Sequence, residues 1–234
     1  MALLIDDEVQ SRMGRTGKFL AIEHEGAVDP VIVVLAKTLP AGFVPARAVL
    51  CKKWINEKVF SSMQRSVVHS STFSQGSFAM AAGLAALDVL DRRDLLANGT
   101  RMGDLIGQGF QAMVPRFKFM KEIRWRGLMV GIEFASPKSL GLKMAWTVCH
   151  TLDKSLFPQA DVIPLMDKHH IITQVAGHGV DVLKLLPPLV ICEADVKWFP
   201  NAFEDVMAGM HKFPGPAWDV LMGSCKMALT QRAR

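Results

Sequence analysis

The sequence predicts an α/β layer built around a buried sheet, followed by a smaller α+β domain. Three short apolar runs near the start, Leu3–Ile5, Val31–Leu35 and Ala46–Leu50, are separated by stretches long enough to hold helices, as in sheets covered by helices. From Phe117 onward, strand-like and helical segments follow one another in mixed order, which is typical of an α+β domain. A chain of 234 residues is long enough for both units.

A helical segment connects the two predicted domains. Apolar residues recur at three- and four-residue steps from Phe78 until Pro115 ends the pattern. The charged run Asp91–Asp94 and the pair Asn98-Gly99 predict a division of this segment into two helices. The predicted organisation is a first domain over residues 1–115, a second over 116–212 and a tail over 213–234.

The second domain is predicted to open with a strand pair over Ile123–Phe134 and a helix over Leu140–Leu156. Two further strands are expected within His169–Gly177 and Val180–Ile191. An amphipathic helix over Glu193–Met210 is expected to cover the sheet, because its apolar residues fall on one side.

Composition narrows the classes of function. Half of the residues are hydrophobic and 21% are charged, as in a globular protein with a substantial core. No apolar run is long enough to cross a bilayer, and no signal peptide precedes the first strand, so we expect no membrane association. The four cysteines are scattered without metal-binding spacing, which favours reduced thiols in a cytoplasmic protein and no metal site. The net charge of +5 is dispersed, so nucleic-acid binding is not expected.

Two apolar runs near the start end abruptly in charged residues. The run LLIDDEVQ supplies Asp7, Glu8 and Gln10, and VIVVLAK supplies Lys37. Pyridoxal phosphate chemistry uses such a pair at the ends of neighbouring strands, since a lysine forms the Schiff base and a carboxylate holds the pyridinium nitrogen. Taken singly, each residue has a simpler interpretation: Asp7 as a solvated or capping acid, and Lys37 as a lysine whose stem lies on apolar surface.

Five motifs occur together in a fixed order, and this co-occurrence is more specific than any one of them. They are D-E-V-Q (7–10), G-R-T-G (14–17), L-A-K (35–37), S-T-F (71–73) and P-P-L (187–189). Over roughly residues 2–210 the chain resembles the class III aminotransferases that act on ornithine, acetylornithine and ω-amino acids. The resemblance implies a pyridoxal 5'-phosphate-dependent enzyme of fold type I, here the C-terminal part of the large domain plus the small C-terminal domain.

The resemblance also implies roles for individual residues. Lys37 would be the catalytic lysine that carries the cofactor, Asp7 the partner of its pyridine nitrogen and Gln10 the partner of its 3' oxygen. Thr72 would bind the cofactor phosphate of a neighbouring subunit, which implies a homodimer. The reaction would move an amino group from an amino acid or amine donor to a 2-oxo acid or aldehyde acceptor. An alternative for Ser70–Gly76 is a cluster that caps the next helix.

The substrate position departs from the family pattern. Lys184 stands before P-P-L where family members commonly have an arginine that binds the substrate α-carboxylate. Because a lysine cannot make the bidentate contact of an arginine, Lys184 favours an ω-amino acid or amine donor. The alternative is an exposed charge on a strand.

Other departures concern the cofactor site and the length. Arg12 and Arg47 stand where glycine is common in the family, and two bulky cations could block or retune the site. The family's front half, with its phosphate loop and ring-stacking aromatic residue, has no counterpart in residues 1–234. The resemblance therefore implies a chain that is inactive alone. The alternative functions are an incomplete or decayed chain that binds a partner subunit, and a nucleotide-binding α/β module supported only by G-R-T-G.

Overall fold

The computed structural model describes residues 2–72, 74, 76–212, 215, 218–219 and 221–223. The chain divides into two compact units, residues 1–100 and 101–234. The division falls within one helix, whereas the predicted domains meet at residues 115 and 116. That predicted boundary concerns the domains of the family fold and stays a prediction.

The first unit contains a three-stranded sheet in the order β1-β2-β3. Strand β1 (Ile5–Asp7) pairs in parallel with β2 (Ile32–Leu35), and β2 pairs antiparallel with β3 (Ala48–Cys51). The parallel register places Asp7 opposite Val34. The carboxyl ends of β1 and β2 therefore lie at the same edge of the sheet.

The expectation that the first strand is a buried run Leu3–Ile5 is wrong in two respects. Strand β1 begins at Ile5, so Asp7 belongs to the strand instead of following it. Ile5 is 57% exposed, and burial within this sheet is confined to Val33 and Leu35 of β2 among the described residues. The physical reason is that β1 and β3 are edge strands, each hydrogen-bonded to β2 alone.

Three helices follow the sheet. They are α1 (Lys53–Val59), α2 (Ser77–Arg92) and α3 (Leu95–Gln111), and α1 was not expected from the sequence. The predicted interruption occurs at Arg93–Asp94, where Asp94 takes a left-handed backbone conformation with φ of 45°. It does not occur at Asn98-Gly99. Gly99 lies within α3, where a Cβ would approach the carbonyl oxygen of Gly14 to 2.4 Å.

The second unit is built on a four-stranded antiparallel sheet in the order β4-β5-β7-β6. Its strands are β4 (Met120–Arg126), β5 (Met129–Phe134), β6 (Gln174–Val175) and β7 (Val182–Leu185). Helices α4 (Leu140–Leu152), α5 (Leu156–His169) and α6 (Glu193–Met210) complete the unit. The sequence predicted the bounds of α6, but it did not predict α5.

An apolar core on one side of this sheet holds the second unit together. The alternate strand residues Val130, Ile132 and Leu183 are buried. Phe157 of α5 lies at the centre of an aromatic group, with ring centroids 4.3 Å from Trp146 and 6.4 Å from Trp218. Trp218 is buried and its indole nitrogen donates a hydrogen bond to the Met210 carbonyl oxygen, so the described part of the predicted tail belongs to this core. In the part of the chain that the structure describes, no helix combines the length and hydropathy required of a membrane span.

Candidate functional site

The carboxyl end of the β1–β2 pair brings Asp7 and Lys37 to one edge of the sheet. The parallel ladder continues beyond β1, because the Glu8 amide donates a hydrogen bond to the Val34 carbonyl oxygen at 3.0 Å. Lys37 follows the end of β2 by two residues. Asp7 and Lys37 are exposed, and one Asp7 carboxylate oxygen accepts a hydrogen bond from the Val9 amide at 3.1 Å. A carboxylate and an amine thus lie at the carboxyl ends of neighbouring strands.

Lys37 has a strained backbone. Its φ is 48°, a left-handed conformation that residues with a side chain rarely adopt. The turn after it is tight, because the Leu39 amide donates to the Ala36 carbonyl oxygen and the Ala41 amide donates to the Thr38 carbonyl oxygen. Strain of this kind costs of order 1–3 kcal/mol and is concentrated at functional sites. The sequence offered no signal for this conformation.

The loop after β1 is fixed by a buried carboxylate. Glu8 is fully buried, and its two oxygens accept hydrogen bonds from the Ser11 hydroxyl and from the Ile22 amide. Gln10, which the sequence predicts to bind the cofactor, is half-buried between these anchors. Residues 14–17 form a tight turn, closed by a hydrogen bond from the Gly17 amide to the Gly14 carbonyl oxygen. These hydrogen bonds anchor the loop around Gln10.

Two polar groups, one in β1 and one in the loop after it, have buried atoms without a hydrogen-bond partner among the described residues. They are the Oδ2 atom of Asp6 and all three guanidinium nitrogens of Arg12. Burial raises the pKa of Asp6, and the acids Glu8 and Asp7 raise it further. Burial lowers the pKa of Arg12 to about 10, although Glu8 opposes this effect. The sequence showed Arg12 as a departure from the family pattern but gave no sign that its side chain is buried and unpaired.

Thr72 lies in an exposed turn of the first unit. The Ser71 amide donates to the Ser74 hydroxyl oxygen at 2.8 Å, and the Ser74 amide donates to the Ser71 carbonyl oxygen at 3.0 Å. Phe73 and Gln75 lie outside the described residues. The alternative in which this serine cluster caps α2 is not observed, because the residue preceding α2 is Gly76 and no side chain caps that helix end.

Lys184 lies in the second unit, on a different sheet. It is half-buried on β7, opposite Gly131 of β5 and Gln174 of β6. Its neighbours along the strand, Leu183 and Leu185, are buried in the core, so Lys184 lies on the outer face of the sheet.

The residues of the first unit fit pyridoxal phosphate in their chemistry. Asp7 offers an oxygen acceptor for a protonated ring nitrogen, and Gln10 offers an amide for a ring oxygen. Lys37 offers an exposed amine for a carbonyl carbon. The unpaired nitrogens of Arg12 add hydrogen-bond donors that suit an anionic group.

Comparison with known proteins agrees with this fit. The family described as Aminotransferase class-III matches residues 1–207. Over 90% of its length the chain is 31% identical to Aminotransferase PigE of Serratia sp. (strain ATCC 39006), of which it covers 28%. Over 82% of its length it is 30% identical to the diaminobutyrate–2-oxoglutarate aminotransferase of Rhizobium meliloti (strain 1021), of which it covers 38%.

A solved structure shows the same relationship in three dimensions. The ornithine aminotransferase of Toxoplasma gondii, whose active site is partly occupied by pyridoxal phosphate, matches with a TM-score of 0.73 and 28% identity. The match covers 90% of this chain and 45% of that one. The chain thus spans less than half the length of each of these three relatives. It has part of their mixed α/β fold, and it belongs to the class III aminotransferases, a family whose cofactor is pyridoxal phosphate.

Proposed function

We propose that this chain is the part of an aminotransferase that carries the cofactor-binding lysine and its carboxylate partner. The reaction would transfer an amino group from an amino acid or amine to a 2-oxo acid or aldehyde. The observation that carries the proposal is the strained Lys37 backbone at the end of β2, beside the parallel strand that holds Asp7. Either residue alone would be an ordinary surface charge.

Each residue has a defined task in this proposal. Bound pyridoxal phosphate supplies an electron-withdrawing ring that stabilises negative charge at the substrate carbon. The Lys37 amine would hold the cofactor and, when free, would act as general base and then general acid for the 1,3 shift of the proton that leaves the substrate carbon. The Asp7 carboxylate would accept a hydrogen bond from the protonated ring nitrogen and so keep that nitrogen protonated. Gln10 donates its amide to the ring oxygen.

Thr72 and Lys184 are proposed to bind the cofactor and the substrate, respectively. We place Thr72 at the cofactor phosphate of a second subunit in a homodimer, and the exposure of its turn supports a contact outside its own unit. Lys184 would meet the substrate as a single point charge, which favours a donor whose carboxylate is distant or absent. An ω-amino acid or a terminal amine has this chemistry.

Reductive labelling tests the lysine assignment directly. The chain is incubated with pyridoxal phosphate, reduced with borohydride and mapped by peptide mass spectrometry. We expect label at Lys37, loss of that label in Lys37→Arg, and an unchanged Lys37 label in Lys58→Arg, which removes an exposed helical lysine of the same unit. Label spread evenly over surface lysines would contradict the proposal.

A second candidate function is a non-catalytic subunit that binds a partner chain. It is favoured by the exposed large apolar residues of the first unit, among them Phe43 at 87%, Met63 at 84% and Phe78 at 76% exposure. The two functions differ in one measurable respect. That difference is the effect of Asp7→Asn and Lys37→Arg on the turnover of the assembled protein. If the chain is part of an aminotransferase, the two substitutions should abolish turnover. If it is a non-catalytic subunit, they should change neither association nor turnover.

A further inference from the structure

Arg12 has a buried charge that no described residue neutralises by a hydrogen bond. Its side chain is only 1% exposed, yet Nε and both terminal nitrogens lack an acceptor. Glu8 attracts it, but both Glu8 oxygens are already engaged by Ser11 and Ile22. With a pKa of about 10, Arg12 remains a cation at neutral pH.

The neighbouring acids do not supply the missing partner either. A close ion pair with Arg12 would lower the pKa of Asp6, but that pKa is raised by burial and by the acids around it. Asp7 is exposed and uses an oxygen to accept the Val9 amide. Five guanidinium N–H groups therefore remain without an acceptor in the described part of the loop.

Buried guanidinium groups are stabilised by planar or tetrahedral oxyanions. The fork of N–H groups matches the two oxygens of a carboxylate or phosphate, and the contact is strengthened when water is excluded. Arg12 is two residues beyond Gln10 on the loop that follows Asp7. The segment Val9–Ser11 is half-buried and is the part of the loop that must move to admit an oxyanion.

We propose that Arg12 is an oxyanion-binding residue of this site, which binds a phosphate or carboxylate group of the ligand held at the carboxyl ends of β1 and β2. The inference rests on the proposed function for the location of the ligand. It adds a cationic contact from the chain's own first unit, whereas Lys184 lies in the second. Because the loop must open, the affinity for a free oxyanion should be weak.

Phosphate-dependent thermal unfolding of the 234-residue chain tests the proposal without any turnover. Inorganic phosphate should raise the unfolding midpoint of the parent, and the concentration required should increase at least tenfold in Arg12→Gln. The control is Arg65→Gln, which removes an exposed arginine of the same unit and should behave as the parent. An Arg12→Gln chain whose midpoint shifts but whose phosphate dependence is unchanged would overturn the proposal.

Two further arms identify the oxyanion. If it is the cofactor's, Arg12→Gln should weaken binding of pyridoxal phosphate at least tenfold and leave pyridoxal unaffected. If it is the substrate's carboxylate, Arg12→Gln should weaken glutarate binding and leave pyridoxal phosphate unaffected. If Arg12→Gln weakens the binding of neither pyridoxal phosphate nor glutarate, the proposal is overturned. Should Arg12→Gln fail to fold, Arg12→Lys keeps the charge without the fork, and a phosphate dependence equal to that of the parent would overturn it.

Labelling and phosphate binding can fail independently. An Arg12-dependent phosphate effect without specific Lys37 label would support the oxyanion site and refute the assignment of Lys37 as the cofactor-binding lysine. Specific Lys37 label without an Arg12-dependent phosphate effect would support the lysine assignment and refute the oxyanion site.

Discussion

Asp161 lies in the core of the second unit, where neither carboxylate oxygen has a hydrogen-bond partner among the described residues. Burial raises its pKa well above the ordinary value, so the folded chain binds this proton more tightly than the unfolded chain. The stabilisation is fully present below the unfolded pKa of about 3.9 and is lost as the pH rises through the folded pKa. Asp161 therefore makes the unit less stable at neutral and alkaline pH.

Asp161→Asn should remove this pH dependence. At pH 8 we expect it to raise the free energy of unfolding by about 1–3 kcal/mol, because no buried charge or proton uptake is then required. At pH 4 the two chains should differ little. Urea unfolding at both pH values measures this, with the exposed Asp167→Asn of the same helix as control. Equal pH dependence in Asp161→Asn and parent would contradict the argument.

Lys184→Arg tests the substrate assignment in a protein that combines this chain with the rest of the family fold. A bidentate charged contact contributes roughly 1.5–3 kcal/mol, and a single ammonium contact discriminates less by geometry. We expect kcat/KM for α-amino acids to increase relative to terminal amines. An unchanged ranking of donors would identify Lys184 as an ordinary strand charge.

At the residue scale, the sequence gives the chemical type of each side chain, but it does not give the burial or the hydrogen-bond partners of that side chain. The position of Asp7 and Lys37 at one edge of the sheet could be predicted, because parallel strands bring their ends to one edge whatever the details of packing. The left-handed conformation of Lys37 and the unpaired burial of Arg12 and Asp161 could not, since these depend on loop closure and on contacts distant in sequence.

Helix α3 approaches its neighbours through glycines. At Gly103 a Cβ would lie 2.0 Å from the carbonyl oxygen of Gly127, a backbone atom that cannot yield easily. At Gly109, on the same helix, the nearest atom would be a Pro200 side-chain carbon at 3.6 Å, an ordinary contact. The two positions therefore form a matched pair.

Gly103→Ala and Gly109→Ala should change stability in opposite directions. Overpacking against a backbone carbonyl is expected to lower the free energy of unfolding by about 1–3 kcal/mol. Gly109→Ala should raise it by about 0.5–1 kcal/mol through helix propensity. Urea unfolding of both variants measures the difference, and a Gly103→Ala chain as stable as Gly109→Ala would show that the close approach relaxes freely.

Helices and strands could be predicted from the sequence where a single hydrophobic pattern runs through the whole element. Helix α6 was predicted to the residue because its apolar side continues over its whole length. Helix α5 was missed because it contains Pro164 and has little amphipathic character, its buried residues including Pro158 and Asp161. The strand expected near His169–Gly177 shrinks to β6, two residues long.

At the scale of the whole molecule, the first unit exposes an unpaired strand edge with apolar side chains beside it. Strand β1 is an edge strand, and Leu3 and Leu4 before it and Ile5 within it are about half exposed, at 48%, 47% and 57%. Unpaired strand edges with apolar side chains promote association with other chains. The same strand ends in Asp7, so the edge expected to associate includes one residue of the candidate site.

We therefore predict that the 234-residue chain alone self-associates, binds pyridoxal phosphate weakly and shows no turnover. It spans 28% and 38% of two relatives whose names are those of aminotransferases, so most contacts to the cofactor phosphate and ring would come from outside it. Sedimentation should find dimers or larger species. Replacing Leu3 and Ile5 by Lys should shift them toward monomer, because charged edge residues oppose strand pairing, whereas Leu140→Lys, at a site 76% exposed in the second unit, should not. A monodisperse monomer that transaminates at ordinary rates would contradict both the association and the incomplete site.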